Sequence, residues 1–135
     1  MWHGTSSTDP KEIYNSEDGF STQHANDNGY WGRAVYFAVN ASYSCGPSWG
    51  KGYSYELSYG YKLSDGTTLP TSTKVVIYAK VIIGKAQFLK NEEKGRKNPD
   101  VGFDSVKANT NGSDVYMLYK GASKRCYPMF LVYFD

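Results

Sequence analysis

The chain has 135 residues, a formal net charge of +2 and 40% hydrophobic residues. That supports one hydrophobic core in a single domain over residues 1–135. The charge gives no argument for nucleic-acid binding, because no basic run or stripe appears.

In chain order, Met1-Trp2-His3-Gly4-Thr5 leads into Thr8-Asp9-Pro10-Lys11-Glu12. Asp9 or Thr8 as cap, Pro10 at the first helical position and Glu12 in the first turn predict a short helix over about 10–17, ended by Gly19. Phe20 to Trp31 is polar, rich in glycine and asparagine, and without apolar period. A loop of this length points to function rather than connection. Gly32-Arg33-Ala34 then turns into Val35-Tyr36-Phe37-Ala38-Val39, whose β-branched and aromatic residues suit a buried strand. Small and hydroxyl residues follow, from Asn40 to Ser44.

Ser64 to Thr68 is a turn signal. Lys74 to Gly84 is the clearest strand, nearly continuous in apolar residues and so expected to be central and buried. Lys90 to Lys97 mixes both charge signs and reads as a solvated loop. Asn109 to Gly112 is a further turn. Asp114–Tyr119 and Phe130–Phe134 read as two antiparallel strands closing a sheet. Many short strands, few helix signals and no βαβ alternation give a β-rich α+β domain. Thirteen tyrosines fit half-buried sheet positions and stacking surfaces.

Cys45 and Cys126 lie far apart and make no disulfide framework. With only His3 and His24 beside them, no metal site has workable ligand spacing. No signal-peptide pattern or membrane-length apolar run is present, so an intracellular protein with free thiols is expected.

Four blocks occur in order: His3-Gly4-Thr5; Gly32 with Tyr36-Phe37-Ala38 and Ala41-Ser42-Tyr43-Ser44; Phe103-Asp104-Ser105-Val106; and Tyr127-Pro128 with Leu131. Together they resemble the catalytic domain of the poly(ADP-ribose) polymerases, most closely its mono-ADP-ribosylating branch. The resemblance runs through essentially the whole chain. It implies the diphtheria-toxin-like ADP-ribosyltransferase fold, with antiparallel strands in two packed sheets and one or two short helices. The family's strand and helix ahead of the histidine are missing here, so a fragment or a trimmed fold is expected, with an exposed sheet edge.

The resemblance also assigns roles, with NAD as the substrate and no metal. His3 would hydrogen-bond an NAD ribose, the Gly4 backbone would hold the nicotinamide carboxamide, and Thr5 would lie near the ribose. Tyr36, flanked by Phe37 and Ala38, would lie against ribose and nicotinamide, and Ser44 would bond the carboxamide. Tyr53 would stack on the nicotinamide ring, with Tyr55 as its rival after the insert Cys45 to Gly52. His24, Asn26, Asn28 and Tyr30 would reach the adenine and phosphate end. The polymerising members carry a glutamate where Val115 stands, so the triad His3, Tyr36, Val115 implies mono- rather than poly-ADP-ribosylation. A register shift of one would put Asp114 there instead. The acceptor would be a protein side chain, the chain's own included.

Ala34 replaces a glycine of the family pattern, which bears on the loop shape. An inactive relative that binds NAD, ADP-ribose or a protein partner is the alternative. An aromatic-rich sugar-binding sandwich would explain the tyrosines but not the four blocks.

Overall fold

The structure, a computed structural model, describes residues 1–46 and 52–135. Most of the Cys45–Gly52 insert therefore lies outside the described residues. Those described form a strand-rich α+β fold. The strands are β1 (Trp2–His3), β2 (Val35–Ala38), β3 (Tyr55–Glu56), β4 (Tyr61–Lys62), β5 (Thr68–Leu69), β6 (Lys74–Val81), β7 (Ala86–Phe88), β8 (Ser105–Thr110), β9 (Ser113–Leu118) and β10 (Cys126–Phe134). Two short helices, α1 (Lys11–Tyr14) and α2 (Ala41–Cys45), accompany them.

One sheet runs β10-β6-β1-β2-β9-β8-β7, with β3 also on β6, and a second holds only β4 and β5. The two-residue β1 is therefore central. It joins β2 through one register pair, Trp2 with Ala38, while Trp2 and His3 pair with Tyr78 and Ile77 of β6. Beyond that single pair β1 and β2 part, leaving a cleft in the middle of the sheet.

Side-chain alternation along a strand places two cores on the faces of β2 and β9. Val35, Phe37 and Leu118 join Ile13, Phe20, Ile77 and Ala79 in one cluster. Ala38, Val115 and Met117 join Trp31, Ala34, Val106 and Ala108 in the other.

Four sequence expectations need correction. The helix near residue 10 is one turn long, with the Asp9 carboxylate accepting from the Lys11 amide at 3.0 Å. β6 is not buried along its whole length: Val75, Val76, Ile77 and Ala79 are buried, but Tyr78 and Lys80 are exposed. β9 and β10 do not pair: β9 lies between β2 and β8, and β10 runs along β6. Strand pairing is also not wholly antiparallel, since β7 and β8 are parallel. The turn between β8 and β9 does form, with Asn111 and Gly112 at φ 50° and 78° between the paired Thr110 and Ser113, as a primed two-residue hairpin requires.

The Phe103–Val106 block is a clasp. Lys85 and Asp104 exchange hydrogen bonds at 2.8 Å, from the Lys85 amide to the Asp104 carboxylate and from the Asp104 amide to the Lys85 carbonyl. The Ser105 hydroxyl donates to the Ile83 carbonyl at 2.8 Å, and Arg125 donates to the Asp104 carbonyl at 2.8 Å. Gly84 is at φ 59°, and a Cβ there would lie 2.7 Å from Asp104 Cβ. The block thus fixes the crossover from β6 to β7.

Candidate functional site

A cavity of about 490 Å³ opens at the cleft. β1 and the turn after it bring His3, Gly4 and Thr5 to it, β2 brings Tyr36 and Ala38, and α2 brings Tyr43 and Ser44. The long loop supplies His24, Asn26, Asn28 and Tyr30, and Tyr53 closes the wall beside α2. Of the eight expected NAD-binding residues, Phe37 alone does not line it. Alternation turns Phe37 to the opposite face, where it is fully buried beside Phe20 and against the His3 ring. Tyr55 pairs with Val75 in β3 and is also outside the lining, so Tyr53 is the tyrosine that reaches the cavity. Its ring stacks on Tyr43 at 5.2 Å and 25°.

His3 Nδ1 lies 2.7 Å from the Tyr36 carbonyl. A carbonyl only accepts, so Nδ1 carries the proton and the neutral ring leaves Nε2 as an acceptor. Burial lowers the His3 pKa below 6.5, and the bond to Tyr36 opposes this only in part. The ring is wedged edge-on to Phe20 at 5.2 Å. One imidazole tautomer is therefore fixed where β1 and β2 diverge.

The Tyr36 hydroxyl is spent on the main chain. It accepts from the Trp31 amide at 2.9 Å and donates to the Gly32 carbonyl at 2.9 Å. Desolvation pushes its pKa up to about 12. A Cβ on Gly29 would lie 2.6 Å from this hydroxyl. The loop is braced from behind as well: the Glu93 amide donates to the Tyr30 carbonyl at 2.9 Å, and the Trp31 indole donates to the Asn91 carbonyl at 3.1 Å. Gly32 is at φ 87°, and a Cβ on it would meet the Arg96 backbone. Ala34 is not among the residues with positive φ. It is buried in the second cluster and lines the cavity, so alanine suits the backbone at this position.

Gly4 has a structural duty not visible in the sequence. A Cβ there would meet the Tyr53 backbone, its carbonyl carbon at 2.5 Å. The Ser6 amide donates to the Tyr53 carbonyl at 2.8 Å, and the Tyr53 amide donates to the Ser44 carbonyl at 3.0 Å. These bonds sew three distant stretches into one wall. Thr5 Oγ1 is buried in this wall without a hydrogen-bond partner among the described residues. Such an orphan costs about 1–3 kcal/mol, so a ligand able to bond it would recover stability.

Val115 is fully buried in the second cluster, directly across the ladder from Ala38. It does not line the cavity itself. Asp114 faces the other way, where Asn109 donates to it at 2.9 Å and Lys107 lies 3.6 Å off. The Asn109 bond, ahead of the charge of Lys107, holds its carboxyl below the usual range. No carboxylate lines the cavity among the described residues. No cluster of three metal-ligating side chains occurs among them, and no described helix is long and apolar enough to cross a membrane. Cys45 and Cys126 are free thiols, and burial pushes Cys126 up to about 12.

A scan against protein-family models and a search of curated proteins gave no match to this sequence.

Proposed function

We propose that the chain is an NAD-dependent mono-ADP-ribosyltransferase with the fold of that family. One observation carries the reading: His3, Gly4, Thr5, Tyr36, Ala38, Ser44 and Tyr53, set out in separate blocks, converge on a single cavity. Its volume of about 490 Å³ is in the range that takes small molecules. The unpartnered Thr5 hydroxyl and the acceptor at His3 Nε2 suit a ligand rich in hydroxyls and an amide. The stacked Tyr43–Tyr53 pair suits a flat ring.

In this reading His3 accepts from a ribose hydroxyl, the Gly4 backbone and Ser44 hold the carboxamide, and Tyr53 lies along the nicotinamide. An acceptor nucleophile attacks C1 of the nicotinamide ribose. The bond from C1 to the nicotinamide nitrogen breaks, nicotinamide leaves neutral, and the acceptor loses its proton to solvent. The site contributes mainly orientation and water exclusion. An apolar Val115 and a cavity without carboxylates support single transfer over chain growth, because nothing there can activate a second ribose hydroxyl.

The same lack of a carboxylate supports a second reading, a module that binds NAD or ADP-ribose without turnover. Labelled NAD followed by intact-mass measurement separates the two. The transferase predicts one added ADP-ribose, lost in His3→Ala and Tyr36→Ala. A ladder of additions would sink the mono-transfer reading, and binding by calorimetry without addition would establish the module.

A further inference from the structure

A second cavity, of about 480 Å³, lies on the other side of the long loop. It shares no lining residue with the first. Arg33, Arg96, Lys97 and Lys120 line it against one carboxylate, Asp27. Arg96 is a strut, committed to Glu93, Asp100 and the Asn98 carbonyl. Lys97 and Lys120 have no ion-pair partner among the described residues. Arg33 is likewise braced, donating to the Thr22 and Gln23 carbonyls at 2.9 and 3.2 Å, and it holds Asp27 at 2.8 Å with these two side chains 46% and 75% exposed. An exposed pair of that kind is worth about 0–1 kcal/mol, so a stronger anion can displace Asp27.

The wall is otherwise hydroxyl and main chain. Ser21, Thr22 and Ser123 lie beside the turns at Gly95 and Gly121. At both glycines φ is positive and the space a Cβ would fill is empty, so the backbone is open to a ligand. The two aromatic residues in the lining, Phe20 and Tyr119, are buried and offer no stacking face. A concave site with excess cations, hydroxyls and bare main chain, and without an exposed ring, selects for charge rather than for a base or an apolar group.

We infer that this second cavity binds the phosphate or diphosphate group of a small organic phosphate, held by Lys97 and Lys120 and the main chain beside them. It stands independently of what occupies the first cavity.

The test is a titration with inorganic diphosphate at about 150 mM salt, where surface charges are screened within a Debye length of about 8 Å. Amide chemical shifts are followed in the wild type, in Lys97→Ala/Lys120→Ala and in His3→Ala. Saturable shifts are expected over Gly95–Asn98 and Lys120–Ser123. The double lysine variant should weaken them roughly tenfold or more, about 1.4 kcal/mol, and His3→Ala should leave them unchanged. Both altered lysines are exposed, so the fold is expected to persist, which the remaining amide spectrum checks. The proposal is overturned by shifts confined to the first cavity, by equal affinity in the double variant, or by no saturation. Ordinary phosphate monoesters titrated next should compete with diphosphate at the same amides, and failure to compete would overturn the assignment to organic phosphates.

Discussion

Replacing Tyr36 by phenylalanine keeps the ring in the cavity wall and removes only the hydroxyl. That hydroxyl bonds the Trp31 amide and the Gly32 carbonyl, both at 2.9 Å. Trp31 is 3% exposed, so water cannot freely replace what is lost. Two net hydrogen bonds of about 1 kcal/mol each, with added cost for buried groups left unpaired, give about 2–3 kcal/mol. At this chain length that is a fall of roughly 6–12 °C in Tm. Urea denaturation should move its midpoint with unchanged slope, because the surface exposed on unfolding is the same. Amide exchange at Trp31 should accelerate more than exchange in β6, which shares no hydrogen bond with the Tyr36 hydroxyl. If NAD binds as proposed, its affinity should fall as the Gly29–Gly32 wall loosens, although the ring stays. A stability change under about 0.5 kcal/mol with unchanged Trp31 protection would refute the reasoning. The hydroxyl would then be free for chemistry instead of holding the loop.

Gly4→Ala should separate the first wall of the cavity from the Tyr53 backbone, since the added Cβ would lie 2.5 Å from the Tyr53 carbonyl carbon. Overpacking against main chain typically costs about 1–3 kcal/mol; thermal denaturation reads that loss, and calorimetric titration with NAD reads the change in the cavity wall. Burial lowers the His3 pKa, which fixes the sign of a pH effect. Above pH 6.5 the ring is neutral in both states and contributes no slope, while below it the unfolded chain takes up a proton that the native state resists, so stability falls toward acid. His3→Gln should flatten urea midpoints measured across that window, and an unchanged slope would refute the assignment. Tyr53→Ala should weaken calorimetric NAD binding while Tyr55→Ala should not, because Tyr53 alone of the two lines the cavity.

Which residues would come together was more legible in the sequence than the topology around them. His3, Tyr36 and Ser44 stand in short blocks whose residue types carry the resemblance, Tyr53 lies beyond them after the insert, and the fold brings all four to one cavity. Phe37 sits inside such a block and yet turns away, because strand alternation overrides membership of a motif. The strand pairing was harder. Asp114–Tyr119 and Phe130–Phe134 are neighbours in sequence and look like a hairpin, but a turn through Ala122–Lys124 sends β10 across to β6. Local propensity does not encode which distant edge a strand will take. The long run Lys74–Val81 had the same limit: its apolar content predicted burial, while the partners that leave Tyr78 exposed are nonlocal. The roles of Gly4 and Gly32 were equally hidden, since each depends on a backbone brought in from far along the chain.

Alternation also decides the most consequential position. Asp114 and Val115 are adjacent, and only one can face the layer that contains Ala38. The ladder puts Val115 opposite Ala38 and leaves Asp114 with Asn109 and Lys107 on the other face. A one-residue slip of β9 would exchange them, but it would also expel Met117 from the second cluster and force Tyr116, now partly buried on the first, into its place. The apolar cost of moving even Met117 out is about 1.5–3 kcal/mol, before the burial of a charged Asp114 is counted. The register is therefore held by packing along the whole strand, which keeps the Asp114 carboxylate off the face that carries Ala38. In the transfer proposed above, an assisting carboxylate would then come from the acceptor.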